Sequence, residues 1–149
     1  MLKTVISVIS TCFLLTSIAT TSDQSNIIVG KWISQQGNVI VQVTEDSGTF
    51  TGKILWFDDT DDISRPMNER TDIKNPDVSL RNRKILGLDV LVGLTYNPDC
   101  KCWQNGKIYD TNSGKIWSSS IRLENENLLK IRGFWHFEFL GKTMIFKRL

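Results

Sequence analysis

The chain has 149 residues, 18 Lys and Arg against 16 Asp and Glu, a formal net charge of +2, and a single histidine. That length makes one domain, large enough to bury roughly two thirds of its unfolded surface without metal or disulfide support. The charge balance gives no composition-level reason to expect nucleic acid or an anionic membrane as partner.

The chain opens with Lys3, a mainly apolar run over residues 5–18, and then small and polar residues, the layout of a secretory signal peptide. The run is shorter than the about 20 residues a membrane span needs. Ser17 and Ala19 supply the small-x-small pattern for cleavage after Ala19, which is preferred over lipid attachment at Cys12 or an uncleaved anchor. Residues 1–19 are therefore expected to be a signal peptide, 20–29 a flexible N-terminal segment, and 30–149 one domain. The processed chain is expected to be exported, to the periplasm or beyond the cell, with no stable membrane span.

From residue 30 onward, period-two runs alternate with turn residues. Eight strands are predicted, over 30–35, 39–45, 49–57, 85–96, 104–110, 115–124, 128–135 and 143–148. Their separators "QGN", "EDSG", "NPDCK", "DTNSG", "ENEN" and "LGK" carry the Gly, Asn, Asp and Pro that tight turns require. Short turns pair neighbours, so an all-β antiparallel meander follows.

The alternation assigns one dry face: Val39, Val41 and Val43; Phe50, Ile54 and Trp56; Leu86, Leu88, Val90, Val92 and Leu94; Trp117, Ile121 and Leu123; Leu129, Ile131 and Trp135. The wet face carries Gln42, Thr44, Thr51, Lys53, Lys115, Arg122, Lys130 and Arg132. A meander with one dry side closes into a barrel, with a two-sheet sandwich as the alternative. Gly30 and Trp32 begin the first strand, and Arg148 ends the last on the inward face. An inward Arg needs a receiver, and the Trp32 indole can be one across the barrel seam. These residues should mark a closed floor, which places the connections after strands one, three, five and seven at the mouth.

Residues 58–84 then form a long connection at that mouth. Loops beyond about 12 to 15 residues in a compact domain are commonly functional. Asn75 as N-cap, Pro76 at the first helical position and Asp77 at the positive end predict a short helix. Asp72 to Lys84 is expected to be a lid, anchored by Leu80, with Arg81 and Arg83 facing the acidic run "DDTDD" or reading an anionic group on a ligand. The candidate ligand or lid residues are thus Asp72, Asn75, Asp77, Arg81 and Arg83, with Trp56, Trp117 and Trp135 on the inner wall.

Cys100 and Cys102, in "NPDCKCW", can close a tight disulfide, pair between chains or stay reduced, and a role as loop fastener is favoured over redox or metal chemistry. The acidic run lacks the spacing and glycine of a calcium loop. No metal or cofactor is expected. No Gly-x-Ser-x-Gly, His-Glu-x-x-His or phosphate-cradling glycine loop is present, so catalysis is not expected.

The segments "GKW", "DIKNPDVSLRNRKILG", "WQNGKIYDTNSGK" and "RGFWHFEFLGKT" together resemble the small exported bacterial proteins grouped as domain-of-unknown-function family 2147, over residues 30–149. The pair "GKW" with Arg148 also resembles the Gly-x-Trp and closing arginine of lipocalin-like barrels. Departures are Thr111 in place of a proline, Phe146 in place of a tryptophan, and the cysteine pair. The resemblance implies a lipocalin-like barrel and export, and no activity. Two functions compete. One is binding of a small apolar or amphipathic ligand inside the barrel. The other is an envelope interaction or structural protein with a filled barrel, whose protein partner the sequence does not name. An apolar cavity separates the two.

Overall fold

The computed structural model describes residues 24–149, so the expected leader and cleavage site lie outside the described residues. Eight strands, β1 (Gly30–Ser34), β2 (Val39–Asp46), β3 (Thr49–Phe57), β4 (Asp89–Asn97), β5 (Cys102–Asp110), β6 (Lys115–Asn125), β7 (Leu128–Phe134) and β8 (Lys142–Arg148), form an antiparallel meander. They close into a barrel by pairing β1 with β8. Within the described residues no helix is long and apolar enough to cross a membrane.

The lower half of the barrel holds the buried core. Trp32, Val43, Phe50, Leu91, Leu94, Trp103, Ile121, Leu129 and Phe146 form one buried cluster there. The end of the segment expected to be flexible is part of it: residues 26–28 make a 3-10 turn and Ile28 is fully buried. The physical reason is that two indoles need acceptors where the barrel closes. Trp32 Nε1 donates to the Ile28 carbonyl at 2.8 Å and Trp103 Nε1 to the Ser25 carbonyl at 3.0 Å. The chain preceding β1 therefore plugs the floor instead of leaving it.

Period-two reading fails where bulges in β3, β4 and β5 move a side chain to the other face. Ile40 opposes Trp56 while Val41 opposes Ile54, so Leu55 is an extra residue in β3. Trp56 shares the outer face with Ile40, and Phe57 takes the inward position expected of Trp56. In β4, Phe50 opposes Leu94 and Gly52 opposes Leu91; Gly93, with φ 72°, absorbs the extra residue, as a glycine can without steric cost. Val92, expected inward, is 40% exposed, and Leu91 takes its place. A matching irregularity at Asn105 (φ 65°) in β5 brings Trp103 inward. The strand expected to begin at residue 85 begins at Asp89, because the chain turns at Gly87 (φ 83°).

The short helix expected in the long connection is a single 3-10 turn over Val78–Leu80, begun by Asp77, whose carboxylate accepts from the Ser79 N–H at 2.9 Å. Asn75 lies one step further out, its Oδ1 accepting from the Asp77 N–H at 2.9 Å. Two successive Asx-type caps thus occupy the residues that a longer helix would have used for its first turn.

Candidate functional site

Above the packed floor the barrel is open. A cavity of about 1520 Å³ runs up to the mouth. Its walls are apolar side chains on inward strand positions, among them Val39 and Val41 of β2, Ile54 and Phe57 of β3, Ile108 of β5, Trp117 of β6, Ile131 of β7 and Met144 of β8. Register explains why they converge: Val39 opposes Phe57, Ile108 opposes Trp117, and Ile131 opposes Met144, so each pair shares the inner face. Gly133, at an inward position on β7, also lines the space and leaves it open.

The rim is polar and ionisable. It comprises Gln36 and Asn38 after β1, Asp58, Thr60, Asp61 and Arg70 after β3, Asp110 to Asn112 after β5, and His136 and Lys142 around the β7–β8 turn. All four belong to the odd-numbered connections, so the mouth lies at the end expected from the Trp32 and Arg148 floor. At that floor, Trp32 and Arg148 are register partners, with the guanidinium 4.2 Å from the ring centroid. Gly30 begins the same strand, where a Cβ would come within 3.0 Å of the Arg148 guanidinium.

The expected lid is placed differently. Asp72, Asn75, Asp77, Arg81 and Arg83 lie apart from the cavity lining and gather on the outer side of the β5–β6 turn. Gly114 (φ 70°) lets the Lys74 carbonyl approach so closely that no side chain could stand there. Asp72 is fully buried within this cluster. Its carboxylate accepts from Tyr109 Oη at 2.6 Å, Asn75 Nδ2 at 2.8 Å and Arg83 Nε at 2.9 Å, and pairs with the second Arg83 nitrogen at 2.8 Å. Burial alone would raise its pKa, but the donors from Tyr109, Asn75 and Arg83 together outweigh it and hold the carboxyl below the usual range. Burial, then the Asp72 partner, push the Tyr109 hydroxyl above its ordinary value. Arg81 Nε donates to the Asn75 carbonyl at 2.8 Å.

The arginines therefore do not meet the acidic run. Arg83 takes Asp72, and the run "DDTDD" finds nearer partners in its own loop: Arg65 with Asp62 at 2.7 Å and Arg70 with Asp61 at 2.7 Å. Arg70 also donates to the carbonyls of Arg65 at 2.8 Å and Asp59 at 2.7 Å, and lies over the Phe57 ring at 5.8 Å. Sequence proximity could have signalled this, since both arginines fall within the same loop. Of the three tryptophans expected on the inner wall, Trp117 and Trp135 line the cavity, in edge-to-face contact at 5.7 Å, and Trp56 does not. Cys100, in the β4–β5 connection at the floor, is bonded to Cys102, the first residue of β5, with Cα atoms 5.2 Å apart.

No curated protein matches the chain. Among solved structures it is similar to a Helicobacter pylori protein, HP1028, described as belonging to the lipocalin family, with TM-score 0.68, 23% sequence identity and 82% of each chain covered. That likeness concerns the fold. A family model described as "Uncharacterized protein conserved in bacteria (DUF2147)" matches residues 30–148, and the chain belongs to that family.

Proposed function

We propose that the chain is an exported protein that binds a small apolar or amphipathic molecule inside its barrel. The observation that carries this reading is the cavity of about 1520 Å³, apolar along its walls and polar at its rim. Ligand sites of about 300 to 1,000 Å³ with apolar walls and a few polar groups are the common form. A barrel of eight strands can either fill itself or hold one ligand. The outward turn of Trp56 and the open position at Gly133 favour the second outcome over the filled barrel of a purely structural protein. An alkyl or ring system would occupy the walls, with its polar end at Asp61, Asp110, His136 or Lys142.

Binding without turnover fits the placement of the buried Asp72–Tyr109 pair, whose carboxylate is satisfied by its neighbours on the outer side of the mouth. Export is supported by the leader pattern and by the Cys100–Cys102 bond, which suits an oxidising compartment.

Native mass spectrometry of the protein purified from the envelope fraction tests both parts. A retained small-molecule mass on a chain starting near Thr20 is the expected result. An apo mass that takes up no fluorescent fatty-acid analogue would overturn the ligand reading, and an intact Met1 or recovery from cytoplasm would overturn export.

A further inference from the structure

The near-neutral charge of the whole chain hides an asymmetry. Strand register places Arg122 of β6 opposite Lys130 of β7, Arg132 of β7 beside Thr143 of β8, and Lys147 of β8 opposite Ile33 of β1, all on the outer wall. Lys142 stands at the top of this wall, and Lys31 at its far side is exposed. The acids among them are few: Glu124 pairs with Lys130, and Glu138 accepts from Ser120 Oγ at 2.7 Å. The acidic run Asp58 to Asp62 belongs to a different connection, after β3, and is engaged by Arg65 and Arg70.

Directly above the basic wall, the β7–β8 connection presents Trp135, Phe137, Phe139 and Leu140, which are 64%, 59%, 75% and 75% exposed. Four large apolar side chains within six residues are unusual on a soluble surface and mark a contact site. The loop is also built to hold them there. The Arg132 guanidinium donates to the carbonyls of Glu138 and Phe139, and to Thr143 Oγ1 at 2.7 Å, clamping the 3-10 turn Glu138–Leu140. Rings run without interruption from the cavity wall to the surface: Trp117 to Trp135 at 5.7 Å, Trp135 to His136 at 5.8 Å, His136 to Phe137 at 6.5 Å and Phe137 to Phe139 at 5.6 Å. Trp135, Phe137 and Leu140 line the cavity as well.

We propose that this loop is a bilayer-docking lip: Trp135, Phe137, Phe139 and Leu140 enter the interface of an anionic membrane, the basic wall meets the headgroups, and the cavity opens toward the lipid that supplies its ligand. The last clause rests on the ligand reading above. Charge complementarity selects the bilayer over a second copy of the chain. A two-fold contact through the lip would bring one basic wall against another, whereas anionic headgroups neutralise it. Exposed aromatic side chains beside Lys and Arg are the composition suited to a membrane–water interface.

The test uses the processed chain and vesicles of equal phosphatidylglycerol and phosphatidylcholine, or phosphatidylcholine alone, with dansyl-undecanoic acid as a soluble cavity probe. The chain is expected to pellet preferentially with the anionic vesicles. Phe139→Ser, and separately the pair Arg122→Glu and Lys147→Glu, are expected to weaken vesicle binding by about tenfold each. Probe affinity should stay unchanged, because none of these residues lines the cavity. Vesicle binding that is absent in the parent, or equal in the variants, while the probe still binds, would overturn docking and leave the ligand reading standing. Vesicle binding without probe uptake would overturn the lipid-derived ligand. A concentration-dependent dimer that Phe139→Ser dissolves, without vesicle binding, would assign the lip to a second copy and overturn the proposal.

Discussion

The Arg148 guanidinium lies over the Trp32 indole, 4.2 Å from the ring centroid, at the point where the first and last strands close the barrel. Its edges donate to three backbone carbonyls, Glu126 at 2.8 Å in the β6–β7 turn, and Val29 at 3.2 Å and Ile27 in the chain before β1. One planar cation thus joins the β6–β7 turn, the floor plug and the seam. Arg148→Met should lower unfolding free energy by about 2 to 4 kcal/mol, from the cation–π contact and charge-assisted hydrogen bonds together. Arg148→Lys should recover only a minor part, since a point charge cannot serve a ring face and three carbonyls at once. Urea denaturation checks both, and an Arg148→Lys midpoint equal to the parent's would refute the fork geometry as the cause.

Asp72 makes stability pH-dependent in a stated direction. Its folded pKa lies below the usual carboxylate value of 3.8, so the folded state favours the ionised form. The contribution is therefore fully present above the unfolded pKa of about 3.9 and is lost as pH falls through the folded value. Asp62, held near a pKa of about 2 by Ser64 and Arg65, adds loss in the same direction at the acid end. Melting temperature should fall progressively below pH 4. Asp72→Asn should cost about 3 kcal/mol at pH 7, because Arg83 and Tyr109 lose the charge that joins them, and should flatten the acid limb. An acid limb of unchanged steepness in that variant would place the pH dependence elsewhere.

A larger side chain at Met144 should compete with the ligand. Met144 is half-buried on the cavity wall opposite Ile131, so Met144→Trp grows into open space instead of overpacking the floor. Probe affinity is expected to fall at least about tenfold, while melting shifts by less than the cost of about 1 to 3 kcal/mol typical of a filled core. Fluorescence titration and calorimetry on the same preparation read the two quantities.

Cys100 and Cys102 sit at the floor, far along the barrel from the lip, and close a loop too short to restrict much of the unfolded chain. Replacing both with Ser should leave probe affinity at the parent value and lower stability modestly. A loss of affinity in a variant that remains folded would show that the β4–β5 turn communicates with the cavity.

The architecture was legible because one side of each strand is dry: Val39, Val41 and Val43, or Ile121 and Leu123, declare both strand and face by period two alone. Trp56 and Val92 depart from that alternation because a single inserted residue reverses parity, and the signals for it, Leu55 and Gly93, look like ordinary strand residues until a register partner is known. The Asp72 segment announces local order through its caps at Asn75 and Asp77, both present in the structure. Its position on the outer side of the β5–β6 turn depends on Tyr109 and Gly114, more than 30 residues away in the chain, and no local pattern reports such a partner. The lip is illegible for a different reason: Trp135 reads as the end of an inward strand, while Phe137, Phe139 and Leu140 have no period to expose them.

Arg70 lies at the rim of the mouth, in the connection after β3. Its side chain is only 13% exposed although it stands at the cavity rim. The guanidinium is committed to Asp61 and to the carbonyls of Arg65, Asp59 and Asp62, with the Phe57 ring beneath it. So many partners leave little capacity to read a ligand headgroup. Arg70 instead holds the strap of residues 58–70 against the rim. Arg70→Ala should therefore increase amide exchange across that strap and quicken both probe entry and release. Affinity should change little, because the open and closed mouths enclose the same apolar walls. Stopped-flow kinetics with hydrogen exchange decides the matter: a slower release, or an affinity loss of about 1.5 to 3 kcal/mol with unchanged exchange, would make Arg70 a ligand contact and not a latch.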